Sequence, residues 1–158
     1  MSSKTQKANA AKTASAPKKL FIYTCIVALG FAVFFALSLK HASPVLKFGN
    51  QSFNYERAVT QQQQEKGLSY RQSLSKNQAM LFIFDKPDVE CFWMKDMNFP
   101  LDMIWLNADK QVVHIEHDVQ PSSYPNSFCP DTPAKYVIEV NAGTTTSVGL
   151  KTGDQVSF

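Results

Sequence analysis

The chain predicts an all-β fold, a compact antiparallel β-sandwich or small barrel with one or two short helices, preceded by a single transmembrane helix. Three observations carry that expectation. Seven or so strand candidates follow one another closely beyond residue 50, separated by turn-forming residues. Only two segments carry helix caps, and both are short. Leu20–Leu39 (LFIYTCIVALGFAVFFALSL) runs for twenty residues without a charge. As a helix that length rises about 30 Å and spans a bilayer core.

Charge is divided between the two ends. Residues 1–40 carry six lysines and no acid; since the whole chain has 16 Lys and Arg and 13 Asp and Glu, the remainder holds ten bases against thirteen acids and nets −3. An acidic globular part argues against a nucleic-acid partner. Lysines before the apolar run orient it with residues 1–19 as a basic, disordered cytoplasmic tail and the C-terminal domain outside. The rival is a cleaved signal peptide, with Ala36-Leu37-Ser38 as its small-x-small site. The apolar run and the basic region before it are both longer than usual for a leader, so the expectation is a retained single-pass anchor at 20–39. The partner there is the lipid bilayer. Residues 40–50 are a connector, and 51–158 the extracytoplasmic β-domain.

Within that domain, Phe53, Tyr55 and Val59 alternate with polar residues as in a strand. Thr60, with Gln63 three positions on and Gly67 beyond, caps a short helix. Met80–Phe84 is an apolar strand stopped by Asp85-Lys-Pro-Asp88, and Val89–Lys95 is the next. Leu101–Leu106 and Gln111–Glu116 flank the turn Asn107–Lys110 as a hairpin. Residues 121–133 hold four prolines and read as a long surface loop. Lys135–Val140 is a strand, Thr144–Val148 a helical turn closed by Gly149, and Gln155–Phe158 a terminal strand.

The stretch Cys91–Asp102 draws attention because charges sit in apolar surroundings. Strand alternation leaves both its faces largely apolar, as in a central strand covered on both sides. Lys95, Asp96 and Asp102 lie in or beside it, where an unpaired charge is costly. Trp93, Lys95 and Asp102 are therefore the candidate ligand-binding residues, lining a polar pocket for a small polar or anionic ligand. The competing reading is that Lys95 and an aspartate satisfy each other and set strand register.

Two other constellations bear on chemistry. His114-Ile-Glu-His-Asp118 has metal-ligand residue types, but a strand puts at most three of them on one edge, short of a closed site, so no metal is assigned. Cys91 and Cys129 both fall in the external domain, where oxidation is allowed, and form the candidate disulfide. Closing a loop of about 39 residues is worth about 4 kcal/mol in the chain-entropy picture. The rival is a reactive thiol with His114 or His117 as base. No phosphate-cradling glycine loop, Gly-x-Ser-x-Gly elbow or His-Glu-x-x-His helix occurs, so no cofactor is assigned.

Gly67-Leu68, Ala79-Met-Leu-Phe82, Phe92-Trp-Met-Lys95, Pro100-Leu-Asp102, Pro133-Ala134, Tyr136-Val-Ile-Glu139, Gly149 and Gly153-Asp154 follow in one order. Together they make the chain, from about Phe53 onward, resemble the domain-of-unknown-function family numbered 192. The resemblance implies a compact β-sandwich, commonly behind a leader or anchor, and implies no activity. The chain departs from the family after Lys95, where Asp96-Met97 replaces the usual Asn-Thr and adds a negative charge.

The functional expectation is a membrane-anchored extracytoplasmic module that binds a ligand or partner of the cell envelope. The alternatives are an envelope hydrolase using Lys95 and Asp102 as acid–base groups, or a purely structural envelope component.

Overall fold

A computed structural model describes residues 45–158. The expected tail, the Leu20–Leu39 span and the start of the connector lie outside the described residues. Among the described residues no helix is long and apolar enough to cross a membrane.

The strands are β1 Val45–Phe48, β2 Gln51–Ala58, β3 Gln78–Asp88, β4 Phe92–Trp93, β5 Leu101–Leu106, β6 Val112–Val119, β7 Ser127–Phe128 and β8 Ala134–Asn141. The α-helices are α1 Gln61–Lys66 and α2 Thr144–Val148, with a 3-10 turn at Pro121–Ser123. Six strands form one sheet in the order β1-β2-β3-β8-β5-β6, and β4 and β7 form a separate ribbon. The sheet begins at Val45, so the last part of the expected connector is a strand.

Most pairings are antiparallel, but β2 and β3 run parallel, which corrects the expectation of an antiparallel sheet. Parallel neighbours need a crossover, and residues 59–77, containing α1, supply it. Thr60 and Gln63 form a reciprocal capping box at the start of α1. At its end Gly67 sits at φ 47°, and an added Cβ would come within 3.4 Å of the Phe82 ring. Gln64 Nε2 donates to the Ile83 carbonyl at 2.9 Å, which fastens α1 to β3.

The C-terminal residues bridge both outer strands. Ser157 pairs with Lys47 of β1, and Gln155 with Gln111 just before β6. This joins the sheet's edges around a first core that includes Leu46, Phe53, Leu81, Ile104 and Val140. The opposite face of β3, β8 and β5 carries a second core, with Met80, Phe82, Met103, Trp105 and Val137 packed beneath Leu68, Leu74 and Met94. Strand β5 is buried at all six positions because both its faces are covered.

The Val89–Lys95 strand is corrected. Strand β3 runs on to Asp88, and only Phe92–Trp93 is extended, paired with Ser127–Phe128. The segment is a lid on the second core, with Phe92 and Met94 turned inward and Trp93 53 % exposed. The expected long loop also contributes β7 to this ribbon.

Candidate functional site

The expected cluster of Trp93, Lys95 and Asp102 does not assemble. Trp93 lies on the ribbon, its ring edge-on to Tyr124 at 6.3 Å. Lys95 is exposed in the turn after the ribbon, where its carbonyl accepts a hydrogen bond from Ser69 Oγ. The ion pairs among the described residues are Arg71–Glu56, Lys86–Asp88 and His114–Glu116, and Lys95 belongs to none of them. Asp102 is fully buried on β5.

Asp102 organises the end of the first core. Its Oδ1 accepts the backbone N–H groups of Asp118 and Gly143, and its Oδ2 accepts the N–H and the hydroxyl of Thr145 at 2.8 and 2.7 Å. A threonine hydroxyl has one proton, and here it goes to Asp102. The 2.8 Å contact between Thr145 Oγ and His117 Nδ1 is therefore donated by the imidazole. Four accepted hydrogen bonds saturate the carboxylate. It ties β5, β6 and the start of α2 together and offers nothing to a ligand.

His114 bonds to Glu116 at 3.0 Å, whereas His117 turns to Thr145. Among the described residues no group of three His, Cys, Asp or Glu side chains gathers as for a metal ion. Cys91 and Cys129 form a disulfide that staples the ribbon β4–β7 at one end.

A different carboxylate stands where a site would need one. Glu139, on β8, is 5 % exposed, and its Oε2 has no hydrogen-bond partner. It faces the second core, with Met80 and Met103 as its cross-strand neighbours. Burial raises its pKa from 4.5 to about 8, and the Arg71 guanidinium pulls the other way without prevailing. Arg71 is committed elsewhere, bound through both terminal nitrogens to Glu56 at 2.7 Å.

Glu139 lines a cleft of about 250 Å³ between the sheet, α1 and the ribbon. Phe82 and Phe84 come from β3, Gln64 from α1, and Phe92 and Trp93 from β4. The Phe92 ring stands edge-on to Phe82 and Phe84, with centroids 4.8 and 6.4 Å away. At the rim are Glu65, Lys66 and Glu90; burial and the neighbouring Asp88 hold the Glu90 carboxyl above its ordinary range. Loop and ribbon are laced together beside the cleft, since Tyr70 donates from its hydroxyl to Asp96 at 2.7 Å and Asn98 Nδ2 donates to the Arg71 carbonyl.

Of the three residues expected to bind a ligand, only Trp93 lines this cleft. Glu139 lies in the expected strand Lys135–Val140 and was not singled out as a site residue. Its burial depends on the crossover that lays α1 over that face.

A family profile described as DUF192, "Uncharacterized ACR", matches residues 45–158. A crystal structure of a protein of unknown function from Novosphingobium aromaticivorans is 32% identical, covering 73% of this chain and 84% of that one, with a TM-score of 0.68. A crystal structure from Sinorhizobium meliloti, described as a "putative transcription regulator", is 32% identical over 68% of this chain and 82% of that one, with a TM-score of 0.65. No curated protein matches the chain.

Proposed function

The chain belongs to the DUF192 family, and from that premise we propose that it is a membrane-anchored extracytoplasmic module that holds a small ligand in the Glu139 cleft. The observation that carries this is the Glu139 carboxyl, buried and with an unpartnered oxygen, on an aromatic-lined cleft of about 250 Å³. An unsatisfied buried polar atom costs about 1–3 kcal/mol. A ligand supplying the missing partner recovers that cost, and the aromatic walls supply apolar contact.

Anchoring is supported by the charge-free Leu20–Leu39 segment after a lysine-rich tail, an order that favours a β-domain on the far side of the membrane. The Cys91–Cys129 disulfide suits an oxidising compartment. The regulator description of the Sinorhizobium protein is not carried over, because the β-domain here is net acidic. The hydrolase alternative lacks a geometric basis, with Lys95 in an exposed turn and Asp102 saturated.

The test is a fragment screen on the full chain labelled at its methionine methyls, read at Met97, which lines the cleft. Fragments that shift Met97, and whose binding changes in Glu139→Gln, support the reading. Fragments that bind elsewhere and leave Met97 unmoved overturn it.

A further inference from the structure

We propose that the cleft's ligand is an organic cation, an ammonium group on a small apolar or aromatic body. This rests on reading the cleft as a ligand site and adds the chemical class.

The lining carries three acidic side chains, Glu65, Glu90 and Glu139, against one basic one, Lys66. The four aromatic rings of Phe82, Phe84, Phe92 and Trp93 surround the same space, and an ammonium is attracted to such ring faces. The guanidinium nearest in influence, Arg71, is occupied by both oxygens of Glu56. Glu65 is exposed and already accepts from Gln61 Nε2 at 2.8 Å. Glu139 differs from Glu65: it is buried, and its Oε2 has no donor.

An ammonium N–H that enters the cleft pairs with the Glu139 carboxyl by a charge-assisted hydrogen bond once the side chain turns its sealed Oε2 toward the ligand. A neutral ligand meets the oxygen without the charge, and an anion meets the Glu65 and Glu90 carboxyls and finds no opposite charge at Glu139. The cleft, about 250 Å³, has room for a single ring or a short alkyl amine.

The proton balance follows. With its carboxyl protonated at neutral pH, Glu139 must give that proton to solvent when the ammonium pairs with it. The products are the ammonium–carboxylate pair and one free proton. The charged groups facing this exchange are Glu65 and Lys66 from α1, Glu90 before β4, and Arg71 with its Glu56 partner beside the strand. Affinity for the cation therefore rises with pH until Glu139 is ionised in the free protein.

Three probes of one shape make the test: benzylamine, benzyl alcohol and benzoate, titrated into the full chain and read at the Met97 methyl. Benzylamine is expected to bind about tenfold tighter than benzyl alcohol or more, to gain affinity from about pH 5.5 to about pH 8, and to lose the preference in Glu139→Gln. Equal or tighter binding of benzyl alcohol or benzoate at Met97 overturns the cation assignment and leaves the cleft reading standing. No response of Met97 to any probe overturns both. The three-probe comparison uses the unaltered chain, so it does not depend on the variant folding.

Discussion

Asp102 and Glu139 lie on the paired strands β5 and β8, one position out of register. Asp102 stands opposite Val140 and Glu139 opposite Met103. Successive side chains alternate faces, so these two buried carboxylates open onto opposite sides of one sheet. Asp102 accepts four hydrogen bonds, while Glu139 Oε2 accepts none. One carboxylate is spent on the fold and the other is kept free of it.

Removing the Asp102 charge should be expensive. Asp102→Asn turns an amide N–H₂ toward donors that need an acceptor, at a cost of about 3 kcal/mol. The melting temperature is expected to fall by about 10–15 °C. A fall of only a degree or two in thermal denaturation would mean that Asp102 does not hold β5, β6 and α2 together.

Glu139 makes stability depend on pH in a defined direction. Its folded pKa of about 8 lies above the ordinary 4.5, so the folded state binds the proton more tightly than the unfolded chain. That contribution is complete below pH 4.5 and is lost as pH rises to about 8. The total is several kcal/mol, at about 1.4 kcal/mol per unit of pKa. Urea denaturation of the wild type and Glu139→Gln should show the wild type losing ground to the variant across this window. Parallel curves would contradict it.

The disulfide supports both fold and cleft, because Cys91 precedes Phe92 and Trp93 on the cleft wall. Replacing Cys91 and Cys129 together by Ser should cost about 2–4 kcal/mol and broaden the Met97 methyl signal. Thiol counting on the denatured, unreduced chain should find one thiol of the three cysteines. Three thiols would show the pair unformed.

The sequence made some of these features readable and hid others for physical reasons. Alternation and turn chemistry located most strands. Thr60, Gln63 and Gly67 marked α1, since capping is local chemistry. Phe92 and Met94 looked like central-strand residues because a lid over a core is as apolar inside as a strand is. The parallel pairing of β2 with β3 was illegible, as strand direction depends on a crossover that has no local signature. Glu139 escaped for the same reason. An acid in a strand reads as its solvated face until something covers that face, and α1 and the ribbon are placed there only by tertiary packing. The Cys91–Cys129 pair was legible because parity and compartment limit the options.

The central claim is that Glu139 is retained for a ligand at the expense of the fold, and the stability of Glu139→Met tests it most directly. Methionine matches the Met80 and Met103 neighbours and removes an unpartnered buried carboxyl. At about pH 9, where that carboxyl is ionised, the variant should be more stable than the wild type by about 1–4 kcal/mol. A variant less stable than the wild type by a similar amount would make Glu139 a structural element and contradict the account.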